Sequence, residues 1–268
     1  MDSIRIGIEA NEEQQEILIS ELTELGADGF EQTENTLIAY FNPHTLNSYE
    51  VNSLLKEYNF DISTIKEQNW NEVWESNFQP VTVNEFCCIR AEFHQPVGNV
   101  KHDIIITPKM SFGTGHHATT YMMIEQMEDI DFINKKVFDF GTGTGILSIL
   151  AEKLGAQKIY ATDIDEWSIQ NAEENSERNN CNKISVHLSP DIPEEKFDVI
   201  LANINRNVIL ENLSLLKKII CHHGKILLSG LLISDEEDIV EACSKEGFTL
   251  VKRKDKNKWI SLLMVNGL

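Results

Sequence analysis

The second half of the chain alternates apolar runs of strand length with segments that have helical periodicity, beginning at Lys136. This alternation predicts a parallel sheet covered by helices on both faces. The chain then closes with a predicted hairpin, in which the basic residues 252–258, "KRKDKNK", are interpreted as a solvent-exposed turn. The strand-like runs before the hairpin are "KVFDFG", "KIYATDID", "KISVHL", "KFDVILANI" and "GKILLSGLL".

The first 69 residues show a different order of patterns, which predicts a small α+β domain. "SIRIGIE" alternates as a strand does, and the next segment has Ile17, Leu18, Leu22 and Leu25 at helical spacing. Two short strands, a second helical segment and a last strand follow. The order β-α-β-β-α-β is that of the ferredoxin-like fold. The predicted fold class is therefore α/β, a Rossmann-like domain with an N-terminal ferredoxin-like α+β domain.

Residues 70–80 are predicted to form a linker helix between this domain, residues 1–69, and a second domain at 81–268. The linker has Trp70 and Trp74 four residues apart, so both rings lie on one face of a helix. They pack either between the domains or in the core of one domain, and the two alternatives are equally compatible with the sequence. The second domain begins with two strand-like segments that can pair, "EFCCIRAEF" and "HDIIITP", and a helical pattern in "GHHATTYMMIEQMEDI".

The chain carries a formal net charge of −20, and most of the excess lies near the N-terminus. Residues 1–80 hold three basic and sixteen acidic side chains, a net charge of −13. Such a surface repels phosphate backbones and attracts cationic partners. We therefore predict docking of a basic protein and no direct contact with nucleic acid. A surface that only improves solubility is the alternative.

The sequence predicts a cytoplasmic protein without membrane contacts. No apolar run approaches the ~18 residues that a membrane span needs, and the acidic N-terminus lacks the layout of a signal peptide. Neither histidine pair, His116–His117 or His222–His223, has a further ligand at the spacing of a metal site. We therefore expect no bound metal.

A glycine-rich turn follows the first strand of the alternating region, in "VFDFGTGTGILSI". Gly141, Gly143 and Gly145 form G-x-G-x-G, whereas dinucleotide-binding turns have G-x-G-x-x-G. Asp163 lies 22 residues beyond Gly141, at the end of the next strand. A carboxylate there accepts hydrogen bonds from both ribose hydroxyls and repels a 2′-phosphate. Asp163 could instead cap the following helix, a role that Asp165 fills at least as well. The turn and Asp163 together predict a nucleoside-containing cofactor.

The surroundings of this turn do not suit a pyrophosphate, which basic groups and a helix N-terminus normally bind. No Lys or Arg lies between Val137 and Glu152, and the acidic Asp139 precedes Gly141 by two positions. A carboxylate at Asp139 suits an α-ammonium group; alternatively, it only organises the turn by accepting backbone N–H groups. The cofactor with an adenosine ribose, an α-amino acid and no phosphate is S-adenosylmethionine.

Polar residues also follow the fourth strand of the alternating region, in "FDVILANINR". Ligands of open α/β sheets bind beyond the carboxyl ends of the strands. Asn203 is therefore predicted to face the site, where its amide can accept from an amine that is to be methylated and orient it. Asn205 is a second candidate for substrate contact. The alternative for both residues is turn chemistry, because asparagine favours turns.

Five segments of the chain form a recognisable set, namely "ITPKMSFGTGHHATT", "VFDFGTGTGILSI", "YATDID", "DVILANI" and "WISLLMV". Together they resemble the PrmA-type methyltransferases, a family that modifies the eleventh protein of the large ribosomal subunit. The resemblance implies a class I methyltransferase domain in which Thr120, Gly141, Asp163 and Asn203 contact S-adenosylmethionine. It also implies that the N-terminal domain recognises a basic ribosomal protein, whose N-terminal amine and certain lysines are trimethylated. Typical members have small or apolar residues after "NI", whereas this chain has "NRNV" there, which includes Arg206. The resemblance covers essentially the whole chain.

Methylation of an amine requires that the amine first lose its proton. A free lysine has a pKa of about 10.4, so its neutral form costs about 4.6 kcal/mol at pH 7. Desolvation beside a sulfonium cation lowers that pKa, and a nearby carboxylate raises it. We therefore expect neutral acceptors such as the Asn203 amide, and no dedicated general base. Phe112 is a candidate aromatic wall for the methylated ammonium, with a place in the core as the alternative.

Three other functions are compatible with parts of the sequence. A nicotinamide-dependent oxidoreductase would have a third fingerprint glycine where this chain has Ile146. A methyltransferase of the same fold could act on another protein, or on RNA or DNA, but the acidity of the chain argues against a nucleic-acid substrate. A binding module without catalysis would not need the cofactor residues.

Overall fold

The computed structural model describes residues 3–33, 35–43, 46–65, 79–107 and 115–267. The chain divides into two compact units between Asn77 and Phe78. Most of the predicted linker helix, with both of its tryptophans, lies outside the described residues. The domain boundaries given above therefore stay predictions. Within the described ranges, no helix has both the length and the apolar character needed to cross a membrane.

The first unit has the ferredoxin-like arrangement that the sequence predicts. Its elements are β1 (Ser3–Glu9), α1 (Glu12–Glu24), β2 (Ala27–Gln32), β3 (Thr36–Phe41), α2 (Ser48–Leu54) and β4 (Phe60–Ile65). The strands form an antiparallel sheet in the order β2-β3-β1-β4. Both helices pack on one face of the sheet, where Leu18 and Val51 share a core with Ile6 and Leu37. One residue differs from the prediction: the spacing places Ile17 on the apolar face of α1, but its side chain is 55% exposed.

The second unit begins with a small three-stranded sheet. Its strands are β5 (Val81–Val83), β6 (Cys87–Ala91) and β7 (His102–Ile106). β5 pairs antiparallel with β6, and β6 pairs parallel with β7. The predicted pairing of the two strand-like segments is therefore confirmed, and β7 lies at an edge of this sheet.

A seven-stranded sheet with helices on both faces makes up the rest of the second unit. Its strands are β8 (Lys136–Phe140), β9 (Lys158–Asp163), β10 (Ile184–Leu188), β11 (Phe197–Asn203), β12 (Ile220–Leu232), β13 (Phe248–Lys256) and β14 (Trp259–Asn266). The helices are α3 (Ala118–Met127), α4 (Ile146–Lys153), α5 (Glu166–Arg178), α6 (Arg206–Ile219) and α7 (Glu236–Lys245). The strand order is β10-β9-β8-β11-β12-β14-β13. β8 to β12 run parallel, and the C-terminal hairpin adds two antiparallel strands. The predicted Rossmann-like fold is confirmed.

The core of the second unit is divided between the two faces of this sheet. Val137 and Leu201 pack with residues of α3 and α4, whereas Phe138 and Ile200 pack with residues of α6 and α7. Strands buried on both faces are apolar at successive positions, which explains the continuous apolar runs of the sequence. Because the central strands are parallel, their carboxyl ends meet at one edge, where ligands of such sheets bind.

The basic stretch before the last strand differs from the prediction of a solvated turn. Only Asn257–Lys258 form the turn of the hairpin, both with positive φ, while residues 252–256 belong to β13. Their side chains also have partners; Lys254, for example, forms an ion pair with Glu125 of α3 at 3.1 Å. The charges of β13 thus connect the hairpin to α3.

Candidate functional site

The predicted cofactor residues meet at the carboxyl edge of the seven-stranded sheet. Asp139 and Leu201 are partners in the parallel pairing of β8 with β11. Asn203 follows Leu201 by two residues, so its side chain points to the same face of the sheet as that of Asp139. Apolar residues of this face pack against α3, the helix that carries Thr120. Residues far apart in sequence therefore converge on one face.

The turn after β8 adopts a backbone that requires glycine. Gly141, Gly143 and Gly145 have φ angles of 77°, 54° and 78°, in the left-handed region that side chains with a Cβ rarely adopt. The N–H groups of Gly141 and of the next residue each donate to the Thr162 carbonyl oxygen at 2.9 Å. A Cβ added to Gly141 would lie 2.3 Å from Ile204 Cγ2. The turn thus approaches the loop after β11 closely.

Asp139 is buried beneath the turn, with 1% of its surface exposed. Its Oδ2 accepts hydrogen bonds from the Thr142 hydroxyl at 2.7 Å and the Ser148 hydroxyl at 2.6 Å. Its Oδ1 is buried and has no hydrogen-bond partner among the described residues. Burial raises the pKa of Asp139 to about 6, and the hydrogen bonds from Ser148 and Thr142 act in the opposite direction. Asp139 therefore organises the turn and still offers one oxygen to a ligand.

Asp163 ends β9 and contacts the glycine turn directly. Its Oδ2 accepts from the Gly143 N–H at 2.9 Å, and its Oδ1 accepts from the Asp165 N–H at 3.1 Å. Each carboxylate oxygen retains a further lone pair, which can accept from a ribose hydroxyl. Asp165 is the residue that caps α5, because its side chain accepts from the N–H groups of Trp167 and Ser168. Asp163 is thus not needed as the helix cap.

Asn203 and Thr120 are joined by a hydrogen bond, although 83 positions separate them in the chain. Asn203 Nδ2 donates to Thr120 Oγ1 at 3.2 Å, and Thr120 is itself buried in α3. Asn203 Oδ1 is buried and lacks a hydrogen-bond partner in the part of the chain that the structure describes. The threonine hydroxyl therefore orients the amide, and the amide oxygen is the acceptor that a ligand can use.

Two other polar residues after β11 have structural partners. Asn205 caps α6, because its Oδ1 accepts from a backbone N–H of the first turn at 3.1 Å. Arg206 forms ion pairs with Asp238 and, at 3.8 Å, with Asp235, so acidic side chains balance its charge. Phe112 lies outside the described residues. Substrate contacts of Asn205 and Phe112 stay predictions.

Two apolar residues beside Asp163 are missing from the sequence-based set of site residues. Ile164 is 77% exposed and Leu188 is 56% exposed, and Leu188 pairs with Asp163 across β9 and β10. Exposed apolar side chains at the carboxyl edge suit the flat base of a nucleoside. The position of Ile164 directly after Asp163 is a signal in the sequence, whereas Leu188 requires knowledge of the strand order.

The unpaired atoms of the site fit S-adenosylmethionine. Asp139 Oδ1 and Asn203 Oδ1 are buried acceptors that need donors. The ammonium group at the amino-acid end of this cofactor is a suitable donor for Asp139 Oδ1, and Asn203 Oδ1 remains available to a second ligand. The segment between Val137 and Glu152 lacks the basic residues that a pyrophosphate would need. Within the described ranges, no group of three His, Cys, Asp or Glu side chains is placed to hold a metal ion.

Comparison with known proteins relates the whole chain to one family. The model of the family described as ribosomal protein L11 methyltransferase (PrmA) matches residues 3–266. A Porphyromonas gingivalis protein named ribosomal protein L11 methyltransferase is 38% identical over 262 residues, which are 92% of this chain and 89% of that protein. A protein of the same name from Chlorobaculum parvum is 36% identical over 280 residues, covering 97% of this chain and 96% of that protein.

Solved structures agree with this relationship. The crystal structure of a ribosomal protein L11 methylase from Lactobacillus delbrueckii subsp. bulgaricus is 29% identical and superimposes with a TM-score of 0.66. It covers 71% of this chain and 100% of that chain. A methyltransferase from Pyrococcus furiosus, 21% identical with a TM-score of 0.53 over 62% of this chain and 90% of that chain, shares the fold.

Proposed function

We propose a specific reaction for this chain, which belongs to the ribosomal protein L11 methyltransferase (PrmA) family. The chain is an S-adenosylmethionine-dependent methyltransferase. Its methyl groups go to lysine side-chain and N-terminal amines of ribosomal protein L11. The names of relatives that are 34% to 38% identical support this substrate, and the chemistry of Asn203 supports amines as acceptors.

The observation that carries the proposal is the unpaired amide oxygen of Asn203. It is buried at the carboxyl end of β11, in an amide that Thr120 orients. A neutral oxygen can accept from an amine without raising the pKa of that amine as a carboxylate would. Deprotonation of a free lysine at pH 7 already costs about 4.6 kcal/mol, so an acceptor without charge keeps this cost from growing.

The other site residues are proposed to bind and position the cofactor. S-adenosylmethionine supplies an electrophilic methyl group on a sulfonium, which the amine nitrogen displaces directly. Such a displacement depends on alignment, so rigid positioning provides much of the catalysis. Asp139 Oδ1 binds the α-ammonium, Asp163 binds the ribose hydroxyls, and Thr120 orients Asn203. The residues proposed to line the rest of the site are Gly141, Gly143, Gly145, Ile164 and Leu188 for the cofactor, and Phe112 and Asn205 for the substrate.

A methyl-transfer assay tests the proposed substrate. The protein is mixed with labelled S-adenosylmethionine and purified ribosomal protein L11, and mass spectrometry locates the label. Label on lysine or N-terminal amines is the expected result. If the protein binds S-adenosylhomocysteine in calorimetry but transfers no label, the cofactor assignment holds and the substrate assignment is wrong.

The acidic first unit is proposed to attract the substrate, which we propose to be a basic protein. Four glutamates lie exposed along α1, namely Glu13, Glu16, Glu21 and Glu24. Opposite charges on two proteins accelerate their encounter at low salt. The same acidity disfavours nucleic acid, so we propose contact with the ribosomal protein alone, in the cytoplasm.

Removing the negative charges of the glutamates on α1 is expected to weaken capture of the substrate and to leave the cofactor site unchanged. At low salt the KM for the ribosomal protein should rise about tenfold, because the attraction is electrostatic. Calorimetry should show the same affinity for S-adenosylhomocysteine. The glutamates to be replaced by glutamine in one variant are Glu12, Glu13, Glu16, Glu21 and Glu24.

The control for this variant removes two exposed charges of the second unit, with Glu173→Gln and Glu177→Gln on α5. The KM of this control should stay near that of the unmodified protein. The difference between the two variants should also disappear at about 1 M salt, where the screening length is about 3 Å. An unchanged KM at low salt in the α1 variant would show that these glutamates only keep the surface solvated.

Replacing Gly141 by alanine is expected to damage both the fold and cofactor binding. The positive φ costs about 1–3 kcal/mol for a residue with a Cβ, and the added methyl group collides with Ile204. Thermal unfolding with and without S-adenosylhomocysteine measures both effects. Gly98→Ala is the matched control, because no atom lies within 4 Å of a Cβ built at Gly98. Equal behaviour of the two variants would contradict the assignment of the turn.

A further inference from the structure

Three asparagines on one face of α5 form a buried row, which we call the asparagine ladder. Asn171, Asn175 and Asn179 are four residues apart, and all three are buried. Asn179 directly follows the last residue of the helix. Asparagine is a mediocre helix former and is costly to bury without hydrogen bonds. A row of three buried asparagines therefore needs hydrogen-bond partners for its side-chain amides.

The partners of the ladder include the free edge of β7, on the side away from β6. Asn179 Oδ1 accepts from the Ile105 N–H at 3.0 Å, and Asn179 Nδ2 donates to the Ile105 carbonyl at 2.6 Å. Asn175 Oδ1 accepts from the Thr107 N–H at 2.7 Å. Two residues of a strand span about 6.6 Å, and four residues of a helix span about 6 Å. Amides at i and i+4 can therefore replace a neighbouring strand.

Asn175 also reaches the glycine turn, whereas the Asn179 side chain bonds to Ile105 and to the Asn175 carbonyl. Asn175 Nδ2 donates to the Thr144 carbonyl at 2.8 Å and to Asn171 Oδ1 at 3.1 Å. Two acceptors at one end of the amide and one donor at the other leave a single consistent orientation of the group. The bond to Thr144 holds the peptide that joins it to Gly145, whose φ is 78°.

We propose that Asn175 is a positioning residue for the methyl-transfer reaction. It joins the glycine turn to the end of β7, from which the chain continues to α3 and Thr120. One amide thus holds the turn beside the cofactor and the strand that precedes the helix of the Thr120–Asn203 pair. Without it, the Thr144 carbonyl loses a buried donor, and the turn must be reordered when the cofactor binds.

The test compares Asn175→Ala with Asn179→Ala, which also removes a buried amide of the asparagine ladder. The Asn179 variant leaves both backbone groups of Ile105 without that amide, so it should lose at least as much thermal stability. The affinity for S-adenosylhomocysteine should fall about tenfold in Asn175→Ala, the loss expected for one buried hydrogen bond, and change less than about twofold in Asn179→Ala. The kcat should fall in the Asn175 variant only.

A second variant keeps the proposal testable if Asn175→Ala does not fold. In Asn175→Asp, an oxygen replaces the donor to Thr144, while the acceptor of the Thr107 N–H is retained, so it should also lose cofactor affinity. Equal losses of affinity in the Asn175 and Asn179 variants would overturn the proposal, as would an unchanged affinity in the Asn175 variants. The inference rests on the proposed place of the cofactor at the glycine turn, which Gly141→Ala tests separately.

Discussion

Replacing Asn203 by alanine is expected to lower kcat about 100-fold, the effect of losing alignment in a direct displacement. The amide oxygen is the buried acceptor at the end of β11 that lacks a partner among the described residues, and the Thr120 hydroxyl orients it. The proposed contacts of the cofactor with Asp139 and Asp163 remain in this variant, so the affinity for the cofactor should fall by less than about tenfold. Single-turnover methyl transfer at saturating cofactor and substrate measures the rate, and calorimetry with S-adenosylhomocysteine measures the affinity.

A second variant, Asn203→Asp, separates position from charge. A carboxylate raises the pKa of the bound amine, so the rate at pH 7 should fall and should recover as the pH is raised. Asn207→Ala is the matched control, because Asn207 is an exposed asparagine in the first turn of α6. If Asn203→Asp keeps the pH profile of the unmodified protein, Asn203 does not bind the amine.

Local patterns are sufficient to predict much of this fold. The order of strands and helices in the first unit follows from apolar residues that recur first with the period of a strand and then with that of a helix. The buried parallel strands of the second unit follow from continuous apolar runs. Two predictions were wrong, the burial of Ile17 and the turn at the basic stretch of β13, and each has its own reason. Near the edge of an apolar face, spacing does not determine burial. A strand whose charges pair with α3 has the composition of a solvated turn.

The contacts of the site were less predictable than the identities of its residues. Asp139, Asp163 and Asn203 end strands, so a sequence pattern can place them at one edge of the sheet. The bond between Asn203 and Thr120 depends on how α3 packs against that sheet. The asparagine ladder could not be predicted either, because polar residues at helical spacing predict a solvent-exposed face. Its partners at the edge of β7 and in the glycine turn come from distant parts of the chain.

The second large effect is expected at Asp139, where the pH dependence of cofactor binding should reveal the buried carboxylate. Burial raises its pKa from 3.8 to about 6. The folded protein therefore binds this proton more tightly than the unfolded chain, and the burial of the charged form costs about 3 kcal/mol above pH 6. Stability of the cofactor-free protein should fall as the pH rises from about 4 to about 6. The α-ammonium group of the ligand binds only the charged form of Asp139. The affinity for S-adenosylhomocysteine should therefore fall about tenfold for each pH unit below about 6.

Asp139→Asn removes this charge and should abolish both dependences. Its affinity for S-adenosylhomocysteine at pH 7.5 should be about 100-fold weaker, the usual effect of losing one partner of a buried charge pair, and nearly constant from pH 5 to 7.5. Asp165→Asn is the control, because asparagine caps a helix as well as aspartate does, and its binding should follow that of the unmodified protein. Calorimetry from pH 5 to 7.5 measures the affinity of each variant for S-adenosylhomocysteine. A flat profile in the unmodified protein would show that Asp139 only organises the turn, through Thr142 and Ser148.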